Sequence, residues 1–320
     1  MSKDSYHFDV KRDNVAIERV LREQVKDKSM TFTQLEIFVA VVECQSFSLA
    51  ASQLGISQSA VSHAVANLEA ELGVMLIERH RSGIALTEIG KRMIKHAQQV
   101  LGLHDAILQE AAATKGLKRG TVRIGSFGLT TSVQLLPQLM WAFGQKYPEI
   151  ELRVFEAIDR EVVEWLYDRY VDVGFVMLPN EMVDTIQIAE DQLVAVLPED
   201  HPLAKLSAIR PGELASEPFI LSGGGSRPLI EEVFRSAGIR LNVRYRLQQV
   251  LSILEIVRRG LGVSVVAELA LPENRKGLSI VPFEPRVVRR IGLAVRDRSN
   301  LSPASRAFFE FAQERYCSGL

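Results

Sequence analysis

An α/β protein with a separate all-α head is what this sequence predicts, on three observations. Between Thr33 and Leu72 apolar residues recur at three- and four-residue steps, interrupted by small and glycine-containing turns, as in short packed helices. From Thr87 to about residue 115 the same step runs on without a break, which predicts one long helix. After Lys118 to Gly120 short β-branched runs alternate with helical stretches, the pattern of a sheet with helices on its faces.

Composition narrows the function classes. At 320 residues the chain suits two or three domains, each able to bury its own core. Hydrophobic residues at 47% and charged residues at 24% are ordinary for a folded globular chain and argue against disorder. No apolar run reaches the roughly 18 residues of a membrane helix, and residues 1 to 30 lack the apolar stretch of a secretory signal, so a cytoplasmic protein without a membrane partner is expected. The two cysteines, Cys44 and Cys317, form neither a disulfide framework nor a metal cluster, and no metal or cofactor is expected. Net charge is −1, so any contact with nucleic acid must be local.

Near the start of the chain, residues 12 to 28 place Val15, Ile17, Val20, Leu21 and Val25 among charges, compatible with a short amphipathic helix in an N-terminal extension, 1–30. Leu35, Phe38, Val39 and Val42 form the stripe of a first helix. Ser46 and Ser48 offer caps for a second, Ser48 to Leu54, whose Ala50 and Ala51 permit close approach and which Gly55 can end in a left-handed cap. Ser57 is the natural cap of a third, in which Val61, Val65, Leu68 and Leu72 point inward while Ser59, Ser62, His63 and Ala66 share the opposite face, with Gln58 in the first turn.

Two helices joined by a glycine turn, the second with a small polar outer face, fit a helix-turn-helix whose second helix enters the major groove. Gln58, Ser59, Ser62 and His63 can then reach base edges, because amides and hydroxyls both donate and accept. An ordinary helical hairpin with a solvated Ser/His face fits the same pattern, and the segment beyond Gly73 decides between the two. Leu76 to Glu78 and Ile84 to Leu86 are short β-prone pieces around the basic tip Arg79, His80, Arg81, Ser82, Gly83, which makes a wing. Residues 31 to 92 hold four Lys/Arg against six Glu, so a broad basic patch is not the attraction. Arg79 and Arg81 are the phosphate candidates, with solvated surface arginines as the competing reading, and the helix starts at Ser48 and Ser57 present backbone N–H groups to phosphate. Gln34, at the start of the first helix, completes the DNA-contact set.

The order Ala50, Ala51, Leu54, Ser57, Gln58, Val61, Ser62, Leu68, Glu69, Leu72, Gly73, Leu76, Arg79, Leu86, Thr87 and Gly90, at these spacings, resembles the signature of LysR-type transcriptional regulators. Ile77 departs from it, since the family usually has Phe there. The resemblance extends from Thr31 to the C-terminus and leaves residues 1–30 outside. It implies a winged helix-turn-helix at 31–88, a linker and dimerisation helix at 89–117 and an effector-binding domain at 118–320. That domain is of the type 2 periplasmic-binding-protein-like fold, with subdomain I at about 118–193 and 286–320 and subdomain II at about 194–285. It further implies double-stranded DNA bound at a pseudo-palindromic promoter site, a small-molecule effector, a homodimer or homotetramer, and RNA polymerase as a further candidate partner.

The residues themselves support parts of this plan. Ile89, Met93, Ala97, Val100, His104, Ile107 and Ala111 form a seam that a lone helix cannot bury; packing on its own C-terminal domain is the alternative to pairing with a mate. Beyond it, strands are read at 121–126, 151–155, 171–177, 218–221, 243–247, 262–267 and 291–295, and helices at 131–146, 159–168, 226–237, 250–259 and 303–316. Ligands of open α/β sheets bind beyond the carboxyl ends of strands. Ser126, Thr130, Thr131 and Ser132 lie at such a strand-to-helix turn and form a candidate anion cradle, with Ser222, Gly225, Ser226, Arg227 and Gln248 facing them from the second unit. Ser226 reads as a helix cap and Arg227 as a carboxylate partner, although plain capping explains any one of these residues equally well. The glycine run Gly223 to Gly225 lacks the Lys-Ser/Thr of a nucleotide loop.

The function expected is therefore a DNA-binding transcription regulator whose promoter binding responds to a small anionic metabolite. An α/β enzyme with an appended DNA-binding head is one alternative, and an oligomerising DNA-binding protein without an effector is another. No catalytic residue is expected, because the cleft candidates include no nucleophile–base pair, carboxylate pair or metal cluster.

Overall fold

A computed structural model describes residues 30–80, 83–114 and 119–317. The chain divides into two compact units, with the break at Leu101/Gly102. Residues 1–29, including the expected helix at 12–28, lie outside the described residues.

In the first unit Thr31 and Gln34 form a reciprocal capping box that starts α1 (Phe32–Cys44), and Gln45 ends it in the left-handed region at φ 51°. The second helix, α2 (Phe47–Leu54), begins one residue earlier than the sequence suggests. Ser46 is its cap, accepting from Leu49 N at 3.3 Å, while Ser48 lies inside the helix and caps nothing. Buried Phe47 fixes this start by anchoring the first turn in the core. Gly55 at φ 67° turns the chain into α3 (Gln58–Leu72), capped by Ser57.

The predicted stripe of α1 is also shifted. Leu35, Ile37, Phe38, Ala40 and Val41 are buried, whereas Val39 and Val42 are only half-buried, because α1 is packed on both α2 and α3. Leu72 is 38% exposed in the last turn of α3, so its inward stripe is Val61, Val65 and Leu68 alone. The wing is the antiparallel pair β1 (Ile77–His80) and β2 (Gly83–Leu86). Glu69 Oε1 holds its root, accepting from Leu76 N and Ile77 N at 2.7 and 3.0 Å. Thr87 caps the long helix α4 (Glu88–Ala113) by accepting from Gly90 N. Ile94 and Ala97 of that helix close the first core, whereas Val100 is 37% exposed.

The second unit contains a nine-stranded sheet among the described residues, in the order β4-β3-β5-β11-β6-β9-β7-β8, with β10 also on β6. Its first half joins β3 (Gly120–Phe127), β4 (Ile150–Ala157), β5 (Val173–Leu178) and β11 (Val288–Val295). The second half joins β7 (Pro218–Ser222), β8 (Asn242–Leu247), β9 (Val263–Ala267) and β10 (Leu278–Pro282). β6 (Asp184–Pro198) serves both, pairing β11 through Gln192 and then β9 and β10 from Leu193 onward.

Neither β6 nor β10 was expected from the sequence. The polar triplet Glu190-Asp191-Gln192 interrupts the strand pattern of β6 at the point where it passes from one half to the other. The helices are α5 (Leu136–Lys146), α6 (Asp159–Tyr167), α7 (Arg227–Ser236), α8 (Val250–Arg258) and α9 (Pro303–Cys317). Ahead of α5 the backbone of Thr130–Leu135 is π-helical, where one α-helix over 131–146 was expected. Pro137 has no N–H to give to an α-helical ladder at that junction, and Leu136 N reaches Thr131 O instead. Among the described residues no helix is long and apolar enough to cross a membrane.

Candidate functional site

On α3 the outward side from Gln58 to Asn67 carries no formal charge apart from His63 when protonated. Gln58, Ser59, His63 and Ala66 are exposed and Ser62 half-exposed, so one turn of amide, hydroxyl and imidazole groups is free to meet a partner. These groups are pre-ordered: Gln58 Nε2 donates to Ser62 Oγ at 2.9 Å, and Ser57 and Ser59 hydroxyls lie 2.9 Å apart. Gln58 Oε1 and its second N–H remain for a base edge. Arg79, exposed on the wing, leans its guanidinium over the Phe47 ring, 4.3 Å from the centroid, a stacking that limits its motion. A cavity of about 570 Å³ runs between α3 and the wing beside Arg79 and Glu69.

Two sequence candidates in this head behave differently, and a third is not among the described residues. Gln34 Oε1 accepts from Thr31 N at 2.7 Å and its Nε2 donates to Glu71 Oε1 at 3.5 Å, so its amide is engaged within the fold. Ser48 is exposed on α2, and the side-chain cap of that helix is Ser46 instead. Arg81 lies outside the described residues.

In the second unit the strand-to-helix turn after β3 is knitted together rather than open. Thr131 Oγ1 accepts from Phe127 N at 2.9 Å and donates to Phe127 O, and Ser126 Oγ lies 2.8 Å from both Thr131 Oγ1 and Ser132 Oγ. Ser126, Thr130 and Thr131 are buried, so the hydroxyls of Ser126 and Thr131 serve the turn itself instead of an open anion cradle. The opposing turn differs from expectation too. Ser222 Oγ accepts from Gly224 N at 3.3 Å. Arg227 pairs with Glu231 of its own helix at 2.8 Å and is directed along the surface. Gln248 is exposed, and its Cγ would lie 3.1 Å from a Cβ at Gly223. Ser226 makes no side-chain cap to α7; its hydroxyl accepts from Arg289 Nη1 at 2.8 Å.

Arg289 is the residue that the sequence reading passed over. It stands on β11 opposite Asp191 of β6, where the chain crosses between the two halves of the sheet, and both side chains are almost wholly buried. Nε lies 3.5 Å from Asp191 Oδ2, yet neither atom has a hydrogen-bond partner. Nη2 meets Met177 Sδ at 3.4 Å, at the end of β5. Asp191 Oδ1 meanwhile accepts from Gln192 N and Leu269 N. Burial pushes the Arg289 pKa down and the Asp191 pKa up, outweighing their attraction. Asp159, the first residue of α6, closes the group. A Cβ at Gly225 would lie 2.8 Å from its Oδ1, and burial raises its pKa as well, only partly offset by the backbone N–H groups of Arg160 and Asp159 and then by the Arg289 charge.

A period-two reading of β11 could have found this residue. Arg289 is in step with Ile291, Leu293 and Val295, all fully buried, while Arg290 faces out toward Glu190.

A cavity of about 490 Å³ in this unit lies elsewhere, between residues 102–110 of α4 and the first half of the sheet. Arg123 donates two side-chain hydrogen bonds to Asp172 there. Burial opposes its charge, but Asp172 and Asp105 together outweigh that and hold its pKa raised. Arg296 donates to Tyr167 O and stacks over the Tyr167 ring. These pairings account for the Arg123 and Arg296 guanidinium groups without a ligand. Cys44, in the first unit, is half-buried with its thiol directed to Gln53 Oε1 at 3.0 Å.

Comparison with known proteins reproduces the same division. The family described as bacterial regulatory helix-turn-helix protein, lysR family, matches residues 32–91, and the LysR substrate binding domain matches residues 115–317. The uncharacterized HTH-type transcriptional regulator YvbU of Bacillus subtilis is 39% identical over 293 residues, covering 90% of this chain and 99% of that protein. Among solved structures, a substituted full-length OxyR from Pseudomonas aeruginosa shares 26% identity at a TM-score of 0.66, covering 89% of this chain and 97% of its own. Full-length CbnR, solved with its target DNA, has the same fold at a TM-score of 0.64 and 24% identity, over 89% of this chain and 99% of that one.

Proposed function

Given that the chain belongs to the LysR family of transcriptional regulators, we propose that Gln58, Ser59, Ser62 and His63 read bases in the major groove and that a small anionic metabolite between the two halves of the sheet modulates that binding. Like its relatives, the protein is a DNA-binding regulator and not an enzyme. Phosphates are taken by the helix starts at Ser46 and Ser57 and by Arg79, with Arg81 beside it in sequence. The observation that carries the reading is the uncharged, pre-ordered outer face of α3, which offers donors and acceptors but no electrostatic attraction of its own.

Specificity on such a face comes from matching hydrogen bonds, and affinity from doubling the head. Val100 and Ile107 of the α4 seam are 37% and 67% exposed, and Leu103 beside it is 46% exposed, which supports pairing of two chains along it. A dimer, or a tetramer built from two, would then meet a pseudo-palindromic promoter site with two heads, in the cytoplasm and within reach of RNA polymerase. Effector binding would shift the population between two arrangements of the sheet halves, which requires different affinities for the two.

Selection of genomic fragments by the full chain at controlled salt tests this, because non-specific binding falls steeply with ionic strength. The expected result is enrichment of a pseudo-palindrome, with Gln58→Ala and Ser62→Ala each losing about 1–3 kcal/mol of discrimination at one base pair. Unchanged discrimination in both variants would show that this face does not read the bases.

A further inference from the structure

Arg289 is buried at the crossing of the two halves of the sheet with most of its hydrogen-bonding capacity unused. A guanidinium carries five N–H donors in a planar fork. Here one meets the Ser226 hydroxyl and one a thioether sulfur, a weak acceptor, while Nε has no hydrogen bond although Asp191 is near. Buried polar groups are ordinarily satisfied, because an unmade bond costs the full desolvation of the donor. The side chain also touches both walls: Ser226 belongs to the glycine-rich turn of the second half, Met177 to the end of β5 in the first. A Cβ at the adjacent Gly225 would lie 2.8 Å from Asp159 Oδ1, so this turn is close to the carboxylate through Gly225 and to the cation through the Ser226 hydroxyl.

We propose that Arg289 is the carboxylate anchor of the effector site, and that its ligand is a small acid with a hydrogen-bond donor next to its carboxylate, such as a 2-hydroxy or 2-amino acid. This rests on the metabolite-cleft reading above. A carboxylate supplies two parallel acceptors to the fork, replacing Ser226 Oγ and Met177 Sδ, which a single-point acceptor cannot do. The ligand's hydroxyl or amino group answers Asp159, whose charge otherwise opposes an anion at this place. Because the anchor lies opposite the crossing point of β6 and its present partners come from opposite walls, occupying it releases one wall from the other.

The test is calorimetry on the full chain with glycolate, acetate and inorganic phosphate, for the wild type, R289K, S226A and D159N. Saturable glycolate binding is expected, with acetate and phosphate several-fold weaker. R289K keeps a charge opposite Asp191 but loses the fork, and should weaken glycolate on the order of ten-fold. S226A removes the competing acceptor and should bind glycolate at least as tightly as the wild type. D159N should erase the preference for glycolate over acetate, and it decides the question should near-UV circular dichroism show R289K unfolded.

Absence of saturable binding by either carboxylate, equal glycolate affinity in folded R289K, or tighter binding of phosphate than glycolate overturns the assignment. A metabolite that still changes operator affinity in any of those cases leaves the broader cleft reading intact. If operator affinity responds to no metabolite, it is that broader reading which fails.

Discussion

Ser57 and Ser226 each stand immediately before a helix, and they do different work. Ser57 accepts from Ala60 N and completes the exposed start of α3, a bond within three residues of itself. Ser226 leaves the N–H groups of α7 alone and accepts instead from Arg289, 63 positions away in sequence. The first serine is exposed and its other neighbour is only the neutral Ser59 hydroxyl, so the nearest backbone donor keeps its acceptor. The second lies beside a buried cation, and a charged donor in a low-dielectric setting is the stronger claimant. One residue type in one local position thus serves a helix in the DNA-binding head and a long-range network in the second unit.

The largest test of that contrast removes the cation. Arg289→Met leaves Asp191 buried and unpaired and should destabilise the second unit by about 3–5 kcal/mol in urea unfolding, and adding Asp191→Leu should recover part of it. A loss of under about 1 kcal/mol would mean that the pair is too hydrated to hold Ser226. Next, Ser226→Ala should cost about 1.5–3 kcal/mol, the range for a hydrogen bond to a charged group. Ser57→Ala should cost about 1 kcal/mol, the range for a cap. Hydrogen exchange separates the two: amides in the first turn of α3 should lose protection in Ser57→Ala, whereas those of α7 should keep theirs in Ser226→Ala. Fraying of α7 would erase the distinction.

The smallest effect is in pH dependence. The Asp159 pKa is raised by burial above its ordinary 3.8, so the folded chain holds this proton more tightly than the unfolded one. Its contribution to stability is therefore present below pH 3.8 and erodes as pH rises through the folded value. Asp159→Asn should match the wild type below that window and melt higher above it, by about 2 °C or less. A variant that melts lower at neutral pH would show that the backbone N–H groups at the start of α6 and Arg289 together already compensate Asp159 in full.

Much of the head was legible because its signals are local. Ser57, Gly55 and Gly73 act on backbone within a few residues, and the glycines take φ 67° as short helix-ending turns require. The errors there came from packing: which of Val39 and Val41 is buried, or whether Leu72 is covered, depends on neighbours arriving from elsewhere in the chain. In the second unit the alternation of strands and helices gave the layers, but β6 was hidden by the polar triplet that makes it useful. Asp191 breaks an apolar run because it must meet Arg289.

By itself, then, the sequence determined the helix-turn-helix with its capped α3 and the polar face from Gln58 to His63, the long α4 and the α/β character of the rest. Period, cap and turn preferences act over a few residues and suffice for these. Only the tertiary structure decided that Ser126 and Thr131 close a turn on themselves, that Arg227 lies along its own helix, and that Arg289 gathers Ser226, Met177 and Asp191 around one guanidinium. Those outcomes turn on burial, which makes a polar group bind the strongest partner that the fold brings within reach, however far away it lies in the chain.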